Sequence, residues 1–302
     1  MIQTRVQSDR PKRPTAPTGR RGRRRFDPER YGPWAVVTGA SSGIGRGFAE
    51  RLAAEGLDVV LAARRTDLLH ELGEHLSATH GVAHRVVTVD LSEPDGPARL
   101  VAATDDLDVG SVVSNAGTGI PPSTFVSNER DDLHRIVRLN VGAHLDLAHH
   151  FGRRLAERGR GGMVLVSAGG ALHGLPYMVN ESATKAYVLN LGEGLHHELR
   201  PRGVDVTVLL PGSVETPIID RFGIDRASMP VRPQPVEACV DETLRALRKG
   251  RATHVSGRMM RTATRLTPRS VSIRVNSRML ARASRRVAVG AEAGADVVGS
   301  AR

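Results

Sequence analysis

The chain has 302 residues, 40 % of them hydrophobic, which is enough apolar material for a sizeable core. Its single cysteine, Cys239, excludes an internal disulfide; no apolar run approaches a membrane span, and the charged start lacks the apolar stretch of a secretory signal, so a cytoplasmic location is expected. The net charge of +11 sits at the ends: residues 1–33 hold ten Lys/Arg against three acids, residues 251–302 eleven Arg against two, and the stretch between them is net negative. The basic balance therefore belongs to the tails, and no nucleic-acid partner is assigned to the domain.

In chain order, residues 1–33 are rich in Pro, Gly and Arg, with an arginine run over Arg20–Arg25, and read as a disordered basic arm. From Trp34 to Ser256 short apolar runs alternate with segments of helix length. Trp34–Val37, Val59–Ala62, Val86–Val89, Val112–Val113, Met163–Val166 and Val206–Leu210 are strand candidates: each is short, β-branched and nearly continuous in apolar character. Such runs suit strands buried on both faces. Repeated βα units predict one α/β domain over 34–256, a Rossmann-like doubly wound parallel sheet with helices on both faces. Ligands of such sheets bind at the carboxyl ends of the strands, near the point where strand order reverses.

After Val255 the pattern changes. Residues 257–302 read as a basic amphipathic helical extension, with Pro268 dividing it into two pieces. Two readings stay open for these helices. They pack on their own domain or on a second subunit, or they adsorb to an anionic membrane surface, which would make the protein membrane-peripheral.

The cofactor signal is the turn Thr38-Gly39-Ala40-Ser41-Ser42-Gly43-Ile44-Gly45, which follows the first strand and opens the first helix of the domain. Gly39 permits the tight turn. Gly43 and Gly45 let the backbone approach a pyrophosphate and let helix and strand pack closely, with Ile44 between them. The helix N-terminus then faces the anion with free N–H groups, and Ser41 and Ser42 supply hydroxyls. The second strand ends in Arg64 and Arg65, where a fold that prefers NAD places an acid for the ribose 2′-hydroxyl. Two arginines suit a 2′-phosphate instead, so NADP(H) is expected over NAD(H).

With these motifs the chain resembles the short-chain dehydrogenase/reductase (SDR) family over about residues 34–256. Asp90-Leu91 is similar to the family's adenine-contacting pair, and Ser114-Asn115-Ala116-Gly117 to its Asn-Asn-Ala-Gly motif. Pro211-Gly212-Ser213-Val214-Glu215-Thr216 is similar to the segment that holds the nicotinamide carboxamide. The resemblance implies an oxidoreductase acting on a carbonyl or alcohol with four catalytic residues. A Tyr is the proton donor or acceptor, and a Lys binds the nicotinamide ribose and lowers the Tyr pKa. A Ser orients the substrate oxygen, and an Asn holds a water linking Lys to solvent. Asn140 and Lys185 match two of these positions. Ala168 stands in the serine slot and Glu181 in the tyrosine slot, and none of Tyr31, Tyr177 and Tyr187 lies four residues before a lysine.

A positioned proton donor is worth about 10²–10⁴-fold in such a reaction, so the resemblance implies weak or altered catalysis. A catalytically inactive nucleotide-binding homologue, acting as sensor or partner subunit, is the alternative. On a helix Glu181 and Lys185 share one face and are expected to pair. Ser167, His173 and Tyr177 are the candidates for a substitute donor. The segments Gly117–Thr124 and Ile218–Pro235 and the C-terminal helices are expected to line the substrate pocket; Ile120, Ile218, Ile219, Phe222 and Met229, with the adjacent Phe125, suggest an apolar small molecule or a lid whose residues pack on each other. A homo-oligomer is expected. No metal site is assigned.

Overall fold

The computed structural model describes residues 26–223 and 232–299, with side chains through 286. Most of the arm, residues 1–25, and the segment 224–231 with Met229 lie outside the described residues.

The elements in order are α1 (Pro28–Tyr31), β1 (Trp34–Thr38), α2 (Gly43–Ala54), β2 (Asp58–Ala63), α3 (Thr66–His80), β3 (His84–Thr88), α4 (Gly96–Ala102), β4 (Val109–Ser114), α5 (Arg130–Val137), α6 (Ala143–Arg158), β5 (Gly161–Val166), α7 (Val179–Leu199), β6 (Val204–Leu210), α8 (Pro217–Arg221), α9 (Val236–Arg248), β7 (Thr253–Val255), α10 (Arg258–Leu266) and α11 (Arg269–Gly299). The strands form one parallel sheet in the order β3-β2-β1-β4-β5-β6-β7. The order reverses between β1 and β4, and this places the ligand crevice above the carboxyl ends of those two strands.

Alternate residues of each strand feed two cores, as strand geometry requires. Val37, Leu61 and Val164 pack on one face against Phe48 and Leu52 of α2, Leu69 and Leu72 of α3, and Val240 and Leu244 of α9. Val36, Val60 and Leu165 pack on the other against Leu100 of α4, Leu147 and Phe151 of α6, and Val188 of α7. The six expected strands are all present; five are extended by one or more residues, and β3 starts two residues before the expected Val86 and ends one before the expected Val89. The additional β7 is a three-residue edge on β6, too short for its apolar pattern to stand out.

The boundary expected at residue 34 moves. Phe26 and Tyr31 are buried and their rings stack with centroids 4.3 Å apart. The Tyr31 hydroxyl donates to Asp205 Oδ2 at 2.6 Å, and Arg30 pairs with the same carboxylate at 2.8 Å. Residues 26–33 thus close the base of the sheet and belong to the domain, not to a solvated arm. The cause is one aromatic pair that outweighs the polar composition around it.

Pro268 divides the C-terminal extension as expected, between α10 and α11. Both helices dock on the domain. Arg261 of α10 donates to Glu242 Oε2 at 2.7 Å and to the Val255 carbonyl at 2.9 Å, and Leu280 and Ala283 of α11 are buried. No described helix is long and apolar enough to cross a membrane.

Candidate active site

The Gly-rich turn lies where β1 and β4 end. Thr38 Oγ1 accepts from the backbone N–H groups of Asn115 and Ala116, both at 2.9 Å, and Asn115 Nδ2 donates to the Thr38 carbonyl at 2.9 Å. These bonds lock the two strand ends edge to edge and fix the Asn115-Ala116-Gly117 segment. Two glycines of the turn are required by contact. A Cβ on Gly45 would lie 2.3 Å from the Gly39 carbonyl oxygen, and one on Gly39, where φ is +66°, would lie 2.7 Å from Asn115 Nδ2. Helix α2 starts at Gly43 with no side-chain hydrogen bond from its cap residue Ser42. Its first N–H groups are therefore left for an anion.

The two arginines diverge. Arg65 Nη2 donates to Ser41 Oγ at 2.9 Å and to Ser42 Oγ at 2.8 Å, so its guanidinium lies on the Gly-rich turn. Arg64 turns the other way and meets Asp90 Oδ2 at 3.6 Å. Asp90 also accepts from the backbone N–H and hydroxyl of Ser92, and its carboxyl is held below the usual range by those two bonds and by Arg64, against an opposing desolvation. Leu91 beside it is buried.

On the opposite wall, the Gly212 N–H donates to Ser256 Oγ at 3.1 Å, fixing Pro211-Gly212 beside the start of α10. Val214 forms an isolated bridge with Gln234. Thr216 folds back towards the turn: a Cβ on Gly43 would lie 3.3 Å from its methyl group. The Gly-rich turn, Asn115–Gly117 and the 211–216 segment thus face one crevice, with Ile44 packed into the core beneath. A nicotinamide dinucleotide fits it through bare glycine backbone at the pyrophosphate position, a free helix N-terminus and a cation at the strand-β2 end.

Asn140 occupies a π-helical turn, residues 138–142, between α5 and α6. Such turns recur at functional sites. Its Oδ1 accepts from the Thr118 N–H at 2.9 Å, and its Nδ2 donates to the Thr118 carbonyl at 2.9 Å and to Thr184 Oγ1 at 3.2 Å. Lys185 is partly buried, and Nζ donates to the Val166 carbonyl at 3.0 Å. Burial lowers its pKa to about 8. A Cβ on Gly117 would lie 3.0 Å from this Nζ and 3.2 Å from Asn140 Oδ1, so all three converge.

The expected Glu181–Lys185 pair does not form. Glu181 Oε1 instead accepts the backbone N–H of Ile120 at 2.6 Å. The carboxylate fills the space above Gly119, where a Cβ would lie 2.7 Å from Oε1 and 2.8 Å from the Phe222 ring. The reason is local: Lys185 is satisfied by the end of β5, while the N–H in the 117–124 loop offers Glu181 a nearer donor. Burial raises the Glu181 pKa, and the Ile120 N–H opposes that rise. Ala168 carries no polar group to the same crevice, and the substitute donors are largely committed. The Ser167 hydroxyl donates to the Lys185 carbonyl at 2.7 Å. His173 Nε2 lies 3.1 Å from Asn276 Nδ2 of α11, and burial and then Arg269 lower its pKa. Tyr177 has φ +66°, uncommon for a bulky residue.

One site residue carried no sequence signal. His144 of α6 is fully buried, with Nδ1 2.9 Å from Ser114 Oγ. Burial first, then the Lys185 charge, lower its pKa to about 3. Its only hint was Ser114, the small residue in place of the first Asn of the motif. Ile219 and Phe222 pack inward, whereas Phe125 and Ile218 are exposed.

The sequence profile described as short chain dehydrogenase matches residues 33–226. The chain belongs to the short-chain dehydrogenase family. Among its relatives is a 7beta-hydroxysteroid dehydrogenase of Clostridium sardiniense, 34 % identical over 189 residues, 63 % of this chain and 72 % of that one. Another is the inactive hydroxysteroid dehydrogenase-like protein 1 of Homo sapiens, 33 % identical over 192 residues, 62 % of this chain and 58 % of that one. The solved short-chain dehydrogenase from Sphingobium yanoikuyae in complex with NADPH superposes with a TM-score of 0.69 at 33 % identity, covering 74 % of this chain and 87 % of that one. Within this short-chain dehydrogenase the described residues hold no group of three or more His, Cys, Asp or Glu able to bind a metal.

Proposed function

We propose that this short-chain dehydrogenase binds NADP(H) and a bulky apolar alcohol or ketone of steroid type, and turns it over weakly or in an altered way. The observation that carries the reading is the Glu181 carboxylate bonded to the Ile120 N–H in the slot of the family's proton donor. The cofactor's contribution, when bound, is hydride exchange at its nicotinamide ring. Gly39, Ser41, Ser42, Gly43 and Gly45 would hold its pyrophosphate, and Arg65 with Arg64 its 2′-phosphate. Asp90 and Leu91 would contact adenine, Lys185 and Asn115–Gly117 the nicotinamide ribose, and Pro211, Gly212, Val214 and Thr216 the carboxamide. Asn140 holds the Thr118 backbone and thereby the floor of the substrate side. Neither residue in the family's Ser and Tyr slots offers the usual hydroxyl proton at the substrate oxygen. Ala168 has none. The Glu181 side chain is directed at a backbone donor, and in its ionised form it would repel a developing alkoxide.

The steroid class rests on the likeness to hydroxysteroid dehydrogenases. A second reading, a non-catalytic nucleotide-binding subunit of the cytoplasm, is favoured by the likeness to an inactive hydroxysteroid dehydrogenase-like protein. One pair of measurements on the same sample separates them. NADPH is titrated first; turnover is then followed at the nicotinamide absorbance with a 7β-hydroxysteroid and NADP⁺, and with the matching ketone and NADPH. Binding with slow turnover supports the first reading, binding without turnover the second. Rates on the order of 1–10³ s⁻¹ would overturn both. Ala168→Ser together with Glu181→Tyr should create or raise activity by more than either change alone, because such groups act as a unit.

A further inference from the structure

We propose that the outer face of α10 and α11 docks on an anionic lipid surface, with arginines at the phosphate level and apolar side chains entering the acyl boundary. The inner face of these helices is already occupied. Arg261 bonds Glu242, Met260 lies against the Pro211-Gly212 segment, Asn276 meets His173, and Leu280 and Ala283 are buried. The outer face differs from the rest of the molecule in two respects.

The first is charge. Elsewhere many arginines have acidic partners, among them Arg30 with Asp205, Arg51 with Asp241, Arg85 with Asp106 and Arg158 with Asp108. Between residues 251 and 286 there is no acid at all. Arg258, Arg265, Arg269, Arg274, Arg278 and Arg282 are exposed there, and no salt bridge among the described residues neutralises them. The second is apolar exposure. Met259 is 62 %, Leu266 76 %, Val271 42 % and Val275 49 % accessible. On α11 the helical repeat puts Val271 and Val275 on one face with Arg274, Arg278 and Arg282, and on α10 Met259 and Leu266 adjoin Arg258 and Arg265. Isolated exposed apolar residues are ordinary, but a run of them interleaved with unpaired cations on one face has the composition of an interfacial helix.

The occupant follows from this mixture. A duplex would satisfy the arginines but leave the methionine, leucine and valines in water, and no aromatic residue stands among them to stack on bases. A second copy meeting this face symmetrically would set arginine against arginine. An anionic bilayer satisfies both: phosphate and carboxylate groups for the guanidinium ions, and acyl chains for the four apolar tips. Since α10 and α11 cover the Gly212 and His173 side of the crevice, the bilayer would lie beside the substrate entrance. The proposal does not depend on whether the site turns over.

The test is co-sedimentation of the full chain with vesicles of phosphatidylcholine alone and of phosphatidylcholine with one third phosphatidylserine. Binding to the anionic vesicles only is expected, weakening as salt shortens the Debye length. Arg269→Ala, Arg274→Ala and Arg278→Ala combined should lower the partition coefficient roughly a hundredfold. Met259→Ser with Leu266→Ser should lower it about tenfold or more at fixed charge. NADPH affinity, unchanged in both variants, shows that the fold is intact. A chain that stays in the supernatant with both vesicle types overturns the proposal. So does a triple arginine variant that sediments like the natural chain, since another segment would then carry the binding. Binding to duplex DNA but not to vesicles would overturn it as well.

Discussion

At the scale of single residues, the site is governed by where two partly buried ionisable groups find partners. Lys185 is charged below its lowered pKa of about 8 while the unfolded chain keeps it charged to about 10.5. Between those values the unfolded state binds more protons than the folded state, so stability rises with pH there. The burial cost, on the order of 3 kcal/mol, is present at neutral pH and is relieved as pH rises from about 8 to 10.5. Lys185→Met should therefore be more stable than the natural chain at pH 7, with the gap closing across that window in chemical denaturation. A Lys185→Met variant with a pH-independent gap would show that the ammonium is better solvated than its burial implies. Glu181 has the opposite charge, and its pKa is raised. Its favourable contribution is complete below the usual carboxylate range and is lost as pH rises through the raised value. Glu181→Gln keeps an acceptor for Ile120, so it should match or exceed natural stability at pH 7 and lose that advantage in acid. Glu181→Ala leaves the Ile120 N–H unpaired and should cost about 1 kcal/mol. That Ala168 and Glu181 stand in the Ser and Tyr slots is what the family resemblance implies. The partner of Glu181 was not legible in the sequence, because i, i+4 spacing states which side chains share a face but not which backbone N–H a loop brings closer.

At the scale of elements, α1 shows how a short segment enters a core. Phe26 is 2 % exposed and stacked on Tyr31, which is fixed by Asp205 of β6. Phe26→Ala should destabilise the domain by about 3 kcal/mol or more, the range for buried Phe truncations, read as a shift of the denaturant midpoint. Tyr31→Phe keeps the stack and should cost only about 1–2 kcal/mol, because it leaves Asp205 with Arg30. A midpoint unmoved by Phe26→Ala would return residues 26–33 to the arm. This segment was illegible because its apolar content is too small for periodicity: two aromatics between prolines and charges. The central strands were legible for the converse reason. Each is flanked on both faces by helices, so both residue parities are apolar, and the run stands out. The π turn at Asn140 was hidden as well, since one inserted residue leaves helical spacing nearly unchanged.

At the scale of the whole molecule, the sheet order, the Gly-rich turn and the strand-β2 arginines are set by one feature, the reversal of strand order between β1 and β4. The sequence assigned both arginines to the 2′-phosphate; the geometry divides them. Arg65 lies on Ser41 and Ser42 with no carboxylate against it, while Arg64 leans towards Asp90. On the proposed NADP(H) reading the cation that would meet the 2′-phosphate is thus Arg65, and a hydroxyl-only ribose would leave it without a charged partner. NADPH should stabilise the natural chain by about 2.7 kcal/mol at a hundredfold excess over Kd, a rise of roughly 5–10 °C in Tm for a domain of this size. NADH at the same concentration should give less than half of that rise. Arg65→Ala should weaken NADPH by about 1.5–3 kcal/mol, roughly ten- to a hundredfold in Kd, and leave NADH nearly unchanged. Arg64→Ala should do the same to a smaller extent, because Asp90 already offsets part of its charge. Equal Tm rises with NADH and NADPH would remove the basis for the preference. A loss of NADPH binding confined to Arg64→Ala would show instead that Arg64 leaves Asp90 to take the phosphate, with Arg65 acting as a brace for the two serines of the turn.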